Sequence, residues 1–360
     1  MDKIKVGAER EIVFDKRLRE KRNEIKQTGG TDWNVSKYDI IEHEFETGKR
    51  KVYKNFNFSI FVDDYCNADC KFCIAQIRYQ HKKALYQKKH IEDKDTYLAR
   101  LEEVFKMIRP LNPSVSLTGG EPTLSPIFID ILKLVDKYGF RKRTITTNGS
   151  ALLNTVQNDT VVNHLINNGF NHLNISRASY DDTLNRAIMR YNTEREYCTD
   201  DMLKEILGIV NKSPMSHRLS CILLKESVNS VYEMKKYLDF YEKLGANNFI
   251  FRELMDYDKT AVNKEKMKYC TQNKIKLYDI WHQFDQYPEF NPYLNLLGYY
   301  YYVEIYKYHG MTVASESADL NIQYREKDRH PEMVYEMVFH NNGNLCGSWI
   351  DHEDILSEYK

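Results

Sequence analysis

Residues 66–73, CNADCKFC, place three cysteines in the order C-x3-C-x2-C, and then the run stops. The next cysteine along the chain is Cys198. Cysteines scattered through a core do not fall this close together. A redox pair needs two thiols, and a structural zinc site needs a fourth ligand from a distant cysteine or histidine. Three sulfur ligands on one short loop therefore raise the question of what fills the fourth place.

The loop lies just beyond the β-rich run FSIFV (58–62), the first of six such runs. SVSLT (114–118), RTITT (143–147), HLNIS (172–176), RLSCILL (218–224) and NFIFREL (248–254) follow. Between them lie helical patterns, notably 95–109, 127–138 and 231–244. Strands alternating with helices specify a parallel sheet of βαβ units. Six units build a partial (β/α)6 barrel, short of the eight that close a full one. The expected fold class is α/β, with residues 56–257 as the barrel. Residues 1–55 read as a charged lead-in with a helix over 14–27, and residues 258–360 as an α+β extension. In that extension VYEMVFHNNGNLCGSW (334–349) reads as a hairpin turning at Asn342-Gly343, where positive φ is accessible.

Composition narrows the function. Apolar residues make up 42% of 360, enough for a substantial core. Lys+Arg and Asp+Glu both number 52, so nothing global points to nucleic acid or an anionic membrane. The N-terminal stretch is charged throughout without a signal-peptide core, and no run reaches the roughly 18 apolar residues of a membrane span. Seven cysteines without a secretory signal suggest reduced thiols and a cytoplasmic protein. Cys198, Cys221, Cys270 and Cys346 stand singly and far apart, as buried apolar residues do.

The cysteine spacing, with Phe72 before the last cysteine, resembles the radical S-adenosylmethionine (radical SAM) superfamily. The resemblance implies that Cys66, Cys70 and Cys73 bind three irons of a [4Fe-4S] cluster, leaving the fourth iron open to S-adenosylmethionine. Three further motifs fall at the C-terminal ends of successive strands, where parallel architectures gather their chemistry. TGGEP (118–122) matches the family's glycine-rich contact with the methionyl amino group, through Gly119, Gly120, Glu121 and Pro122. Its two glycines allow close backbone approach, and Glu121 either meets an ammonium or locks the turn. TTNG (146–149) brings Asn148 to a position that faces the cofactor in relatives. LNISRASYDDTLNRAIMR (173–190) resembles the pattern of the branch containing the molybdenum-cofactor cyclase and SPASM-type enzymes. On that match Ser176 and Arg190 hold the carboxylate and ribose of S-adenosylmethionine, with Arg177 as a competing choice because the loop after Ser176 departs from the family. No closely spaced auxiliary-cluster cysteines are present.

The implied activity is an iron–sulfur, metal-binding oxidoreductase of biosynthesis that abstracts hydrogen from its substrate. An electron donor such as flavodoxin or ferredoxin is the implied partner. The substrate is expected to be a small molecule, with a peptide as the alternative and a non-enzymatic zinc protein as the remote one. Arg252 and Glu253 are the catalytic candidates, since charges within the apolar strand NFIFREL need a partner or a wet cavity. The two point to opposite faces, and the sequence does not say which is inward. The basic run HKKALYQKKH (81–90) reads as a solvated face or an attractor of anions. The tyrosines 299–302 read as packing. Residues 290–350 are expected to pack against the barrel and form part of the cavity wall, because a radical must be screened from solvent.

Overall fold

The computed structural model describes residues 40–53, 56–255, 261–297, 301–318 and 320–360. The helix expected over 14–27 and tyrosines 299 and 300 lie outside the described residues. Residues 40–53, read from sequence only as a charged lead-in, form a hairpin of β1 (Ile40–Phe45) and β2 (Gly48–Tyr53) across the turn Glu46-Thr47.

Six parallel strands follow the β-rich runs closely. They are β3 (Asn57–Phe61), β4 (Ser114–Thr118), β5 (Lys142–Thr147), then, after a two-residue ribbon of β6 (Thr155–Val156) and β7 (Asp159–Thr160), β8 (His172–Ser176), β9 (Ser216–Ile222) and β10 (Asn248–Arg252). The helices Lys94–Ile108, Phe128–Tyr138, Asp200–Val210 and Val231–Glu242 bury apolar stripes against the outer face of this sheet. Capping fixes where they start: Asp93, Thr199 and Ser230 each accept a hydrogen bond from a first-turn amide.

The chain beyond residue 261 continues the barrel wall at both edges. β11 (Asn291–Leu297), β12 (Tyr301–Tyr308) and β13 (Met311–Ala318) form an antiparallel run whose last strand pairs parallel with β10. β14 (Met333–Val334) joins β2, and β15 (Met337–Phe339) pairs parallel with β3. β16 (Leu345–Cys346) and β17 (Ile355–Ser357) complete the far edge. The result is a twelve-stranded sheet in which the six-stranded partial barrel carries C-terminal strands on each side. Exposed edges of β3 and β10 would otherwise present unpaired backbone groups. Removing the chain after residue 258 therefore uncovers both edges at once.

One buried cation ties the C-terminal hairpin to the barrel. Arg100, 5% exposed, donates from Nε to the Gly343 carbonyl at 3.0 Å, reaches the Ser357 hydroxyl, and pairs with Glu103 at 3.1 Å. Arg100→Ala leaves two buried acceptors without a donor. The expected loss is about 2–4 kcal/mol of unfolding free energy, readable by urea denaturation, with cluster loading retained below the transition. An unchanged midpoint would contradict this assignment. Among the described residues no helix is long and apolar enough to cross a membrane.

Candidate active site

The cysteine loop leaves β3 at its C-terminal end and is pinned by its own backbone. Asp69 and Lys71 donate their amides to the carbonyls of Arg190 and Ile188 at 2.9 and 3.0 Å, and Asn192 donates to Asn67 O at 2.8 Å. Two lysines staple it further: Lys82 Nζ reaches Ala68 O at 2.9 Å, and buried Lys266 reaches Cys70 O at 2.6 Å and Asp69 Oδ1 at 2.9 Å. Lys88 pairs with Asp351 at 3.0 Å and stands 3.8 Å from Asp64. Lys82 and Lys88 of the basic run 81–90 are thus structural staples rather than free surface charges.

All three cysteines are free and half-buried. Burial pushes Cys66 up to about 12, with Glu121 adding to it. Burial also raises Cys70 and Cys73, and Cys66 and Cys73 raise Cys70 further. The sulfurs therefore share one electrostatic neighbourhood. They do not, however, form a group lying wholly within 4.8 Å of one another. One zinc ion bound by three thiolates at about 2.3 Å needs sulfurs about 3.8 Å apart. Three thiols on one short loop are the ligand number of a cubane held at three corners. Loading must displace protons that burial holds tightly, so binding strengthens as pH rises towards the thiol range.

The glycine pair makes room for the loop's own backbone. A Cβ on Gly119, whose φ is +141°, would lie 2.5 Å from Asp63 O, and one on Gly120 would lie 2.1 Å from Tyr65 O. The space is needed because Gly120 N donates to Asp63 O at 2.7 Å and Glu121 N to Tyr65 O at 2.8 Å. This differs from the close approach to cofactor expected from the sequence: the backbone that approaches is the segment leading into Cys66. Glu121, 1% exposed, accepts from the Thr147 hydroxyl, the Asn148 amide (2.7 Å) and both the amide and hydroxyl of Thr123. Of the two roles open to it, turn locking is the one these contacts satisfy. Burial raises its pKa above the usual carboxylate value, against those donors. Pro122 sits at the start of a single 3-10 turn.

Asn148 likewise spends its side chain on the loop. Its Nδ2 donates to Asn67 Oδ1 at 2.8 Å, and its Oδ1 accepts from the Ser150 amide at 2.9 Å. Ser176 ends β8 and faces a cavity of about 320 Å³ that also meets Phe72, Cys70 and Cys73. Arg177 lies at the same wall, 1% exposed, donating to the Tyr197 hydroxyl and the Thr199 carbonyl at 3.2 and 3.3 Å. Arg190 does not share that cavity. It stands on the outer side of the cysteine loop, where it grips Asp69 through Nε and Nη2 and meets Glu265 at 2.9 Å. Its φ of 48° turns the chain back to pair with residues 67–69, which explains its place behind the loop.

At the end of β10 the two catalytic candidates separate, as alternation along a strand requires. Arg252 lines the cavity and pairs with Glu316 of β13 at 3.1 Å. The Glu253 carboxylate turns to the covering helix, accepting from Leu277 N at 3.2 Å with Lys274 3.9 Å away. Glu316 and Ala318 of β13, with Leu320 at the start of the helix Leu320–Arg329, complete the wall. Glu316 was missed by sequence reasoning because VASESA shows no charge out of place until β13 is known to lie beside β10. Cys270 also reaches the cavity, while Cys198, Cys221 and Cys346 are buried elsewhere.

Residues 60–206 match the description of the Radical SAM superfamily. The chain is 32% identical over 138 residues to the GTP 3′,8-cyclase of Marinobacter nauticus, covering 36% of this chain and 35% of that protein. It is 25% identical over 216 residues to a probable GTP 3′,8-cyclase of Thermoplasma volcanium, covering 58% and 57%. The matches thus span between about a third and somewhat over half of those relatives. In fold the chain is similar to Streptococcus suis SuiB bound to S-adenosylmethionine, with a TM-score of 0.52 at 15% identity over 94% of this chain and 67% of that one.

Proposed function

We propose, for a chain whose barrel belongs to the radical SAM superfamily, that it reductively cleaves S-adenosylmethionine and directs the resulting radical at a small-molecule biosynthetic substrate. A single [4Fe-4S] cluster on Cys66, Cys70 and Cys73 supplies the electron when bound and holds S-adenosylmethionine at its open iron. The observation that carries this reading is the loop: three cysteines on one short turn, pinned from behind, with Cys70 and Cys73 opening on a cavity.

The rest is done by the chain. Gly119, Gly120, Glu121 and Asn148 hold the cysteine loop in place. Phe72 and Ser176 form the wall beside Cys70 and Cys73, on the path a bound S-adenosylmethionine would take. Glu316, Ala318 and Leu320 screen the cavity from the β13 side, which limits side reactions of a reactive intermediate. Arg252 faces the substrate space, while Glu253 acts in positioning the helix that begins at Leu277. Arg190 is a positioning residue for the cysteine loop. A cytoplasmic setting and a flavodoxin- or ferredoxin-like donor belong to the same proposal.

Small-molecule chemistry agrees with the names of the sequence relatives, whose titles specify a nucleotide. The test is stimulation of 5′-deoxyadenosine formation above the substrate-free level in anaerobically reconstituted enzyme given dithionite. A low-molecular-mass fraction of cell extract is expected to stimulate it at least about tenfold, the scale of correct positioning. Stimulation by the peptide fraction alone would move the reading to peptide modification.

A further inference from the structure

Within the barrel, positive charge outnumbers negative. Arg252 already has a carboxylate, Glu316 at 3.1 Å. Arg218 on β9 faces the same interior, donating from Nε to Asn174 Oδ1 at 2.8 Å. Among the described residues no carboxylate lies within ion-pair distance of Arg218. Burial first, and Arg252 second, pull Arg218 down to about 10, with Glu316 acting the other way. The three groups therefore feel one another in one space. Lower in the barrel, burial and Arg218 also lower Lys142 and His172. Glu253, the adjacent acid, also lines the cavity, with its carboxylate accepting from Leu277 N and standing 3.9 Å from Lys274.

Arg252 and Arg218, with Lys274 3.9 Å from Glu253, set three cations against the carboxylates of Glu316 and Glu253 and leave a positive charge that burial makes costly. A guanidinium also offers parallel N–H donors matched to phosphate or carboxylate oxygens. The hydroxyls of Thr146, Ser176 and Ser220 line the adjoining cavity wall and supply neutral donors beside them. We propose that the substrate carries an anionic group, a phosphate or a carboxylate, that seats on Arg252 and Arg218 against these hydroxyls. This deepens the reading above, on which it rests, by naming the substrate's class. Glu316 then tunes the site, since its charge competes with the incoming anion for Arg252.

The test uses cluster-loaded full-length enzyme with pyrophosphate and succinate as probes, titrated by calorimetry at low ionic strength. One of the two is expected to bind saturably, and which one does so assigns phosphate or carboxylate. Arg252→Gln and Arg218→Gln are each expected to weaken that probe at least about tenfold, the scale of losing a bidentate charged contact. Glu316→Gln is expected to tighten it several-fold, an outcome that a purely structural ion pair would not give. The Glu316 variant also keeps the test decisive should an arginine variant fail to fold. S-adenosylmethionine affinity, followed through the cluster spectrum, is the companion readout. Parallel loss of S-adenosylmethionine and probe in the arginine variants would overturn the proposal, because the arginines would then serve the cofactor. Absence of binding by both probes, or indifference of the probe to all three substitutions, would also overturn it. Failure to load a cluster or bind S-adenosylmethionine would instead count against the reading under Proposed function.

Discussion

Replacing Cys70 by alanine is expected to abolish both the cluster and 5′-deoxyadenosine formation. Three thiolates are the least number that fixes a cubane at three corners, and two leave it free to dissociate. The Cys70 side chain packs at the edge of a small apolar cluster and lies 3.7 Å from the Met189 sulfur, so an alanine there costs little packing. The folded state should survive while the chemistry is lost. We expect iron to fall from about four per chain to near zero, and product formation to fall at least about a thousandfold, equivalent to about 4 kcal/mol of barrier. Cys346→Ala serves as the contrast. That thiol is buried in the β15–β16 hairpin and is expected to leave the iron content unchanged. Iron and product retained in Cys70→Ala would remove this cysteine from the site.

The second large effect is expected at a glycine packed against the backbone of the cysteine loop. A methyl group at Gly120 would stand 2.1 Å from the Tyr65 carbonyl oxygen and 2.5 Å from its carbon, both backbone atoms. A clash with backbone cannot be relieved by a rotamer change, so the segment leading into Cys66 must move. Overpacking of this kind costs about 1–3 kcal/mol or more. We expect Gly120→Ala to lower the midpoint of thermal unfolding by several degrees and to lower cluster occupancy in the protein that remains folded. Glu121 sets the scale from the other side of the turn: it holds Thr123, Thr147 and Asn148 together, so any shift of Gly120 reaches the ends of both β4 and β5. If Gly120→Ala loads iron and unfolds as the parent does, the glycine pair has another purpose.

The barrel was legible because its information is local. Runs such as SVSLT and HLNIS coincide with β4 and β8, and the patterns at 127–138 and 231–244 fall within two residues of the observed helices. Strands covered on one side by helices carry an alternation that needs no knowledge of their neighbours. The wall strands were less legible. β13 and β15 pair with strands far away in sequence, and a pairing of that kind leaves no periodic mark. The β1–β2 hairpin was missed because IIEHEF and GKRKVY interleave charges with apolar residues and pass for an exposed segment.

At the site, the cysteines and the strand-end motifs could be read directly, but the direction of each side chain could not. Glycines 119 and 120 were placed correctly at a close approach, and the structure identifies the approaching partner as the chain's own residues 63–65. Arg190 and Arg177 were both plausible anion holders until a left-handed turn set Arg190 behind the loop. Alternation put Arg252 and Glu253 on opposite faces from the start, yet at the strand end both reach the cavity, Arg252 beside Glu316 of β13 and Glu253 beside the helix that begins at Leu277.

The most direct test of the central claim is the composition and spectrum of the cluster with and without S-adenosylmethionine. Anaerobically loaded protein should contain about four irons and about four sulfides per chain, with a reduced-state paramagnetic signal. Adding S-adenosylmethionine should shift that signal, because a cluster held by three cysteines keeps one iron open. An iron count near eight, a site filled by zinc instead, or a signal unmoved by saturating S-adenosylmethionine would contradict the account.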